Sequence, residues 1–485
     1  MIYSPEQLEI INSPFLGIVV QAGAGAGKTT VIERYCTVRS HLRFLYLAFN
    51  SPIAKEAEAE FPPNVDCLTF HALSMRRFGS TLKHKLDNNL SVGHLIKLGQ
   101  GGFDTAMKAL DLLNRFLISD SETIMCFSNG NHSVEVVGLA ELAWINMTDA
   151  KSSFPITQDG QFKFFTLNFS IAEYDGVIVD EAQDSNDAKI DLVLRYEKER
   201  KDGIKLIVGD RHQQLNKWNG ATDAMSRPEF KSYSKYSLQE SYRFGSEVGY
   251  IANAVLKNKK GIDIHISGLG DQTRILFSQS YEQSVFSCVD GPIACLSRTV
   301  NGCIDLGLEH HSMGRKIHWV GGLASYRLAD LHDLALLKAN AKVGFKDPLF
   351  KKKWKDFNNY CFTAKVESDN GRLKSIKSLD RYPDAIEILV QLEESSVAEE
   401  EADVLICTAN RSKGKGWKSV FINNDFPNIG EGGVSGERLD DEINVIYVAL
   451  TRVKRTMLIA KGHLTEYLLN YKESMKKTSK SLDYI

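Results

Sequence analysis

Short, largely apolar runs of strand length recur along the chain and alternate with segments of helical periodicity. The runs lie at 17–20, 44–49, 65–70, 174–179, 206–209, 292–296, 403–408, 419–422 and 457–460. Residues 50–61, 248–256 and 442–450 instead have the apolar spacing of helices that pack one face on a core. Alternating strands and helices are typical of parallel sheets covered by helices. The pattern therefore predicts an α/β fold.

Two long stretches interrupt this alternation. Residues from about 80 to 170, and again from about 300 to 400, contain helix-like segments joined by polar loops; the clearest are at 102–117 and 133–147. These stretches predict mainly helical subdomains inserted into two α/β domains. The predicted first domain is 1–80 and 171–245 with an insertion at 81–170, and the second is 246–300 and 401–485 with an insertion at 301–400. A chain of 485 residues is long enough for this, at about 150 residues per domain.

A glycine-rich loop follows the first apolar run and leads directly into a helical segment. Small residues in such a loop let consecutive backbone N–H groups surround a phosphate, and the helix N-terminus adds positive partial charge. The loop ends in Gly-Lys-Thr, so Lys28 can reach the β- and γ-phosphates of a nucleotide and the Thr29 hydroxyl can ligate Mg²⁺. The alternative, a flexible turn, does not explain this ending between a strand and a helix. The candidate nucleotide-binding residues here are Ala22, Gly23, Gly25, Gly27, Lys28, Thr29 and Thr30.

Two acids end the run at 174–179, and polar groups follow the run at 206–209. Parallel sheets bind ligands at the carboxyl ends of their strands, so Asp180 is a candidate ligand of Mg²⁺ and Glu181 a candidate base for an attacking water. Gln213 is a candidate contact of the γ-phosphate or of that water. Taken alone, two acids after a strand are often only a solvated strand end. Together with the upstream Gly-Lys-Thr, they predict a site of nucleoside-triphosphate hydrolysis.

Two further side chains have alternative interpretations. Gln7 lies in a segment that begins with a helix start, Ser4 as cap and Pro5 at the first helical position. Its amide could read the edge of an adenine, or it could be an exposed helical glutamine. Trp218 lies just beyond the ligand-binding edge of the sheet. It could stack on a nucleic-acid base or fill the core.

Composition and charge narrow the class of protein. Hydrophobic residues are 43% and charged residues 25% of the chain, as in soluble globular proteins, and no apolar run approaches the roughly 20 residues of a membrane span. The first residues do not form a basic region followed by an apolar core, so we expect no secretory signal and a cytoplasmic location, or a nuclear one in a eukaryote. The eight cysteines include no Cys-x-x-Cys pair, which argues against a zinc or disulfide framework. With a formal net charge of −2, the chain would need a local basic groove to bind nucleic acid.

The order of these motifs resembles the UvrD/Rep-type superfamily 1 DNA helicases over nearly the whole chain. Residues 5–7 resemble the adenine-reading motif and 22–30 the first ATPase motif. Residues 69–73 resemble an early DNA-contacting motif and 180–184 the metal motif. Four later motifs have counterparts at 209–218, 242–243, 413–414 and 447–452. Within that family the sequence is most similar to the helicase core of the F-box DNA helicases and their bacterial or phage relatives. The stretches that carry this similarity are 44–61, 208–214, 241–245 and 319–323.

The resemblance implies two RecA-like domains with ATP and Mg²⁺ bound between them, and translocation along single-stranded DNA in the 3′→5′ direction. It implies that Arg243 and Arg452 reach the γ-phosphate, that Tyr242 stacks on adenine and that Trp218 stacks on a DNA base. The predicted catalytic residues are then Lys28, Glu181, Gln213, Arg243 and Arg452. The predicted DNA-binding residues are Phe49, Asn50, Thr69, His71, Trp218 and Arg298.

The predicted function is an ATP-dependent 3′→5′ DNA translocase and helicase that acts in DNA repair, recombination or genome defence. Its expected partners are single-stranded DNA and tailed or forked duplex DNA, together with a protein such as a nuclease, and no membrane. The alternative is a DNA-gated ATPase that serves as the sensor or regulatory subunit of a partner nuclease, with little unwinding of its own. Departures from the family pattern favour this alternative slightly; they are Asn216, Asn219, Asn410 and Gly416.

Overall fold

The computed structural model describes residues 2–99, 102–215, 224–258, 265–278, 289, 291–347, 350–366 and 370–482. The chain divides into two compact units, Met1–Gln239 and Glu240–Ile485. The strands of the described residues are β1 (Gly17–Ala22), β2 (Phe44–Ala48), β3 (Val65–Thr69), β4 (Gly176–Val179), β5 (Ile204–Gly209), β6 (Ser234–Leu238), β7 (Glu240–Ser241), β8 (Ser267–Gly268), β9 (Arg274–Ser278), β10 (Ile293–Ser297), β11 (Ile317–Trp319), β12 (Val404–Thr408), β13 (Trp417–Ile422) and β14 (Val453–Ala460).

The α-helices of the described residues occupy most of the remaining chain. They are α1 (Pro5–Ile11), α2 (Lys28–Thr37), α3 (Ser51–Glu60), α4 (Phe70–Leu82), α5 (Val92–Leu98), α6 (Phe103–Leu117), α7 (Ile124–Ser128), α8 (Val134–Thr148), α9 (Gln158–Asn168), α10 (Asp187–Glu199), α11 (Ser246–Leu256), α12 (Val300–Ser312), α13 (Leu328–Lys338), α14 (Phe350–Lys353), α15 (Phe357–Val366), α16 (Asn370–Arg381), α17 (Ala385–Glu394), α18 (Gly436–Leu450) and α19 (His463–Leu482).

Six parallel strands form the sheet of the first unit, in the order β3-β2-β4-β5-β1-β6. Successive side chains of a strand point to opposite faces, and both faces of this sheet are apolar. Ile18 and Val20 pack with residues of α1 and α2, whereas Val19 packs with residues of α9 and α10. Burial on both faces is typical of parallel sheets. The carboxyl ends of β1, β4 and β5 therefore lie side by side at one edge.

Between β3 and β4 the chain is mainly helical and has a core of its own. α6 packs against α5 and α8, and its buried face includes Leu112, Leu113 and Phe116. The helices predicted at 102–117 and 133–147 are α6 and α8, so both predictions are confirmed.

The second unit is built on another sheet of six parallel strands, in the order β11-β12-β10-β13-β14-β9. One hydrophobic cluster joins Ile293 and Val404 of this sheet to Leu306 of α12, Leu331 of α13 and Leu389 of α17. Residues 301–400 thus share a core with the sheet, and they also contribute β11 to it.

The predicted α/β fold, with two parallel sheets and many helices, is confirmed. The finer domain boundaries, at 80, 170, 245, 300 and 400, stay predictions. Within the described parts of the chain, no helix has both the length and the apolar character that crossing a membrane requires.

Candidate functional site

The glycine-rich loop lies between β1 and α2, at the carboxyl edge of the first sheet. Gly25 and Gly27 have φ angles of 74° and 78°, a left-handed conformation that glycine adopts without steric penalty. The Gly23 N–H donates to the Leu238 carbonyl at 2.8 Å and ties the loop to the sheet. Because α2 begins at Lys28, the N–H groups of its first turn have no carbonyl partner within the helix. These groups, with the helix dipole, are suited to bind a phosphate.

Gln7 supports this loop from helix α1. Ser4 and Gln7 form a capping box, in which the Ser4 hydroxyl accepts from the Gln7 N–H at 3.3 Å and Gln7 Oε1 accepts from the Ser4 N–H at 3.1 Å. The same amide donates through Nε2 to the Ala26 carbonyl at 3.4 Å. Gln7 is only 6% exposed, so its interpretation as an exposed helical glutamine is wrong. Its role in reading adenine stays a prediction.

Lys28 and Glu181 form an ion pair beside the loop. Lys28 Nζ lies 2.6 Å from Glu181 Oε1, and the two side chains are 15% and 12% exposed. Burial by itself lowers the pKa of Lys28, but the negative charges of Glu181, Asp180 and Asp210 outweigh it and leave the pKa above its usual value. The predicted phosphate-binding ammonium and the predicted catalytic base are therefore in direct contact.

Asp180 is buried next to this ion pair. Its Oδ2 accepts from the Tyr46 hydroxyl at 2.6 Å, and its Oδ1 accepts from the Glu181 N–H at 2.8 Å. Burial raises the pKa of Asp180 above its usual range, although the nearby charge of Lys28 opposes the shift. Glu181 has a φ of 52°, which is uncommon for a residue with a side chain. The chain thus turns sharply after β4 and keeps both acids at the edge of the sheet.

The chemistry of these groups fits magnesium. Mg²⁺ is usually bound by one or two carboxylates, with water and substrate phosphates as its other ligands. Asp180 offers carboxylate oxygens, and Thr29 offers a hydroxyl on the first turn of α2. The described residues contain no group of three or more His, Cys, Asp or Glu side chains suited to a metal ion. A metal held by Asp180 and Thr29 would therefore take most of its ligands from a bound nucleotide and water.

Gln183 connects the two acids to the neighbouring strand, and it is absent from the residues proposed from sequence. It lies on the 3-10 turn Ala182–Asp184 and is buried. Its Nε2 donates to Glu181 Oε2 at 2.6 Å, and its Oε1 accepts from the Asp210 N–H at 3.0 Å. The only sequence signal was its place inside the motif at 180–184, because a single amide on a turn leaves no mark in hydrophobic periodicity.

Gln213 lies at the same edge, in a polar network centred on Asp210. Gln213 Nε2 donates to Asp210 Oδ2 at 2.7 Å, and Gln21 Nε2 donates to Asp210 Oδ1 at 3.1 Å. The structure therefore brings Gln213 to the edge that holds Lys28 and Glu181. Its contact with a γ-phosphate stays a prediction.

Two of the predicted DNA-binding residues of the first unit begin helices. The Asn50 side chain accepts from the Ile53 N–H at 3.0 Å and caps α3, while the Thr69 hydroxyl accepts from the Ala72 N–H at 3.0 Å at the start of α4. These bonds give both residues a local structural role. Asn50 is exposed, whereas Thr69 is buried.

His71 and Phe49, two other predicted DNA-binding residues of the first unit, lie against charged side chains. His71 Nε2 is 3.3 Å from Asp159 Oδ1, and Lys189 Nζ is 5.4 Å from the centre of the Phe49 ring. Trp218 lies outside the residues that the structure describes. The DNA contacts of all these residues stay predictions.

Arg452, in the second unit, is 1% exposed and its guanidinium is bound to its own surroundings. It donates through Nε to the Val448 carbonyl at 2.8 Å, and its terminal nitrogens donate to the Lys415 carbonyl at 3.1 Å and to the Thr451 hydroxyl at 2.9 Å. These bonds join the end of α18 to the loop before β13. The predicted contact of Arg452 with a γ-phosphate stays a prediction.

Arg243 packs on Gly416 in the same unit. Its guanidinium donates to the Thr451 carbonyl at 3.2 Å. A Cβ placed on Gly416 would lie 3.2 Å from Arg243 Nε, so the absence of a side chain at residue 416 makes room for this arginine.

Two further predicted contacts of the second unit are paired with acids. Arg298 makes a bidentate ion pair with Glu442, at 2.6 Å and 2.9 Å, and this carboxylate raises the pKa of the guanidinium. The Tyr242 hydroxyl donates to Glu240 at 2.9 Å, and the residue is 47% exposed. The exposed face of Tyr242 is compatible with stacking, whereas Arg298 already has a carboxylate partner.

Comparison with known proteins agrees with this geometry. Residues 7–218 match the AAA domain family. The chain is 29% identical over 502 positions to F-box DNA helicase 1 of Gallus gallus, covering 93% of this chain and 48% of that protein. It is 26% identical over 494 positions to F-box DNA helicase protein 1 of Schizosaccharomyces pombe, and this match covers 91% of the present chain and 55% of that protein. The chain resembles the F-box DNA helicases. It spans about half the length of these two relatives, and the resemblance predicted from its motifs is confirmed.

The AAA domain match coincides with the edge of the first sheet. It includes Gln7, the glycine-rich loop, Asp180, Glu181 and Gln213. The arginines at 243, 298 and 452 lie beyond it. The match therefore supports a nucleotide site in the first unit.

Proposed function

We propose that this chain is an ATP-dependent DNA helicase that moves 3′→5′ along single-stranded DNA and acts in DNA repair, recombination or genome defence. The observation that carries the proposal is the contact of Lys28 with Glu181 beside buried Asp180, at the edge where the glycine-rich loop enters α2. Similarity to two DNA helicases supports DNA as the substrate. A cytoplasmic location, or a nuclear one in a eukaryote, belongs to the same proposal.

The first unit supplies the groups needed for phosphate binding and hydrolysis. Backbone N–H groups of the loop and of the first turn of α2 would bind the phosphates. Thr29 and Asp180 would hold Mg²⁺, which neutralises phosphate charge when it is bound. Lys28 would exchange Glu181 Oε1 for a phosphate oxygen. This exchange would release Glu181 Oε1 to accept a proton from the attacking water, so nucleotide binding itself would activate the base.

A cavity in the second unit supports the DNA part of the proposal. It has a volume of about 530 Å³ and lies at the carboxyl ends of β10 and β12. Its polar lining includes Arg298, Thr299, Arg327, Lys374, Lys377, Thr408 and Asn410. A chain with a net charge of −2 needs such a local concentration of cations to bind a polyanion.

Two lysines of this cavity are the cations most available to DNA. Arg298 and Arg327 are already paired, with Glu442 and with Asp330. Lys374 and Lys377 are exposed on α16, and they lie one turn apart on one face of that helix. Within the described part of the chain, neither lysine has an ion-pair partner. We therefore expect both to contact phosphates of a single strand.

The test is ATP turnover with and without single-stranded DNA, followed by strand displacement on duplexes with a 3′ or a 5′ tail. We expect turnover that requires Mg²⁺ and rises strongly with single-stranded DNA, and displacement of the 3′-tailed duplex only. No turnover in the presence of DNA and Mg²⁺ would contradict the proposal. Preference for the 5′ tail would contradict its polarity.

The same assay distinguishes the alternative function. A DNA-gated ATPase that regulates a partner nuclease would hydrolyse ATP on single-stranded DNA without displacing a strand. Adding the partner would then change nuclease activity in an ATP-dependent way. Strand displacement by the chain alone would exclude this alternative.

A further inference from the structure

Gln183 is a buried amide that joins the end of β4 to the end of β5. Its Nε2 donates to Glu181 Oε2 at 2.6 Å, and its Oε1 accepts from the Asp210 N–H at 3.0 Å. Its backbone carbonyl accepts from Gln214 Nε2 at 2.9 Å. The residue is 0% exposed. An amide can donate to a carboxylate through its nitrogen and accept from a backbone N–H through its oxygen without changing its protonation state.

Gly209, at the end of β5, makes room for this amide because it has no side chain. A Cβ on Gly209 would clash with Gln183 Oε1 and would lie 3.2 Å from the Ala182 nitrogen. Glycine at the end of β5 therefore lets the amide reach the Asp210 N–H. Because Gln183 Oε1 is held by the Asp210 N–H, the direction of Gln183 Nε2 toward Glu181 is also fixed.

The Glu181 carboxylate is held at both oxygens in this arrangement. Oε1 contacts Lys28 and Oε2 accepts from Gln183. If Lys28 moves to a phosphate, as proposed above, the bond from Gln183 continues to hold Oε2. The orientation of the base then depends on an amide that is anchored on β5.

We propose that Gln183 is a positioning residue for Glu181: it aims the carboxylate at the attacking water and couples it to the end of β5, where Asp210 and Gln213 lie. This inference rests on the proposed function, in which Glu181 is the base. A shift of the Asp210 backbone would move the carboxylate through the amide. The end of β5 could therefore control hydrolysis without contacting the water.

The experiment substitutes Gln183 by methionine in the full chain. Gln183→Met has a similar volume and makes neither bond. We expect it to lower kcat of DNA-stimulated ATP hydrolysis about tenfold to a hundredfold, as loss of a supporting hydrogen bond does in other sites. KM for ATP and Kd for a non-hydrolysable ATP analogue should stay within about twofold, because the loop, Lys28 and Thr29 are unchanged.

The matched control is Gln161→Met. Gln161 is also a buried amide of the first unit, 2% exposed on α9, and it has no part in the network around Asp210. Gln161→Met should leave kcat within about twofold, and thermal melting of both variants reports any loss of folding. The split between kcat and nucleotide affinity separates positioning from a merely structural role.

Each outcome decides between the two proposals. If the wild-type chain hydrolyses ATP and Gln183→Met has the same kcat, this inference is wrong and the proposed function stands. A parallel loss of kcat and analogue binding overturns positioning in favour of a structural role. Absence of turnover in the wild-type chain overturns the proposed function and this inference with it.

Discussion

Glu181 contacts Lys28 and is the proposed catalytic base, so one substitution tests both the contact and the proposed role. In Glu181→Gln the neutral amide cannot take a proton from water, and kcat should fall at least about a hundredfold. The uncharged amide also attracts Lys28 less strongly than the carboxylate does, so Lys28 is more available to a phosphate. The variant should therefore bind a non-hydrolysable ATP analogue with a Kd equal to or lower than the Kd of the wild type. Lys28→Ala should lose both analogue binding and turnover. Near-normal turnover of Glu181→Gln would show that another group is the base.

Lys163, a buried lysine of the first unit, makes the free energy of unfolding depend on pH. Lys163 donates to the Ser119 carbonyl at 2.7 Å and lies 4.8 Å from the centre of the Phe116 ring. Burial lowers the pKa of Lys163 to about 8 from an unfolded value of 10.5, with Asp191 opposing the shift. Between these two pKa values the unfolded chain binds more protons than the folded chain, so the stability of the folded state rises as the pH rises.

The predicted gain is measured against Lys163→Met, which has no proton to bind. Between pH 7.5 and 9.5, the unfolding free energy of the wild type should rise by about 2 kcal/mol relative to that of Lys163→Met. Urea denaturation at several pH values measures this difference. A difference that stays constant, or that falls with pH, would mean that Lys163 is charged in the folded state at pH 9.5.

The turn between β1 and α2 depends on a contact with helix α1. Gly27 has a φ of 78°, and a Cβ there would lie 2.9 Å from Gln7 Nε2. Gly130 has a similar φ of 76° but open space around it. Alanine at either position should cost about 1–2 kcal/mol of unfolding free energy, the penalty of a left-handed conformation.

Nucleotide binding should separate the two alanine variants. Gly27→Ala pushes against Gln7 and disturbs the phosphate loop, so analogue affinity should fall at least about tenfold, or 1.4 kcal/mol. Gly130→Ala should bind the ATP analogue with normal affinity, because no atom beyond its chain neighbours lies within 4 Å of a Cβ at this position. Equal affinities in titrations of the two variants would show that Gln7 does not support the loop.

Hydrophobic periodicity and local start signals predicted the elements around the site well. Ser4 and Pro5 begin α1, Asn50 caps α3, and the runs at 44–49 and 403–408 became β2 and β12. These features depend on residues close in sequence, so they can be inferred without the fold.

Contacts between distant segments could not be inferred in the same way. The bond of Gln183 to the Asp210 N–H joins two strand ends, and the pairing of Arg298 with Glu442 joins residues 144 apart. The burial of Arg452 against the Lys415 carbonyl depends on how α18 meets the loop before β13. A family motif marks such residues as important, but only the fold shows which atoms they hold.

The local distribution of charge in this nearly neutral chain bears on the DNA binding proposed above. The formal net charge is −2, so the proposed attraction to DNA would have to arise from local groups of cations. Two such cations, Lys374 and Lys377, line the cavity at the carboxyl ends of β10 and β12. Arginines in the same cavity are bound to acids, and their charge is partly cancelled.

Removing both lysines should therefore change how DNA binding responds to salt. Each phosphate contact on a single strand contributes about 0.7 to the slope of log K against log salt concentration, so Lys374→Ala combined with Lys377→Ala should reduce that slope by about 1.4. Affinity should fall to a similar extent for all sequences, because phosphates carry no base identity. Lys201→Ala with Lys342→Ala is the matched control, since it removes two exposed lysines that do not line the cavity. Fluorescence anisotropy with a labelled oligonucleotide at several salt concentrations measures both slopes. A wild-type slope in the Lys374 and Lys377 double variant would place the DNA elsewhere on the chain.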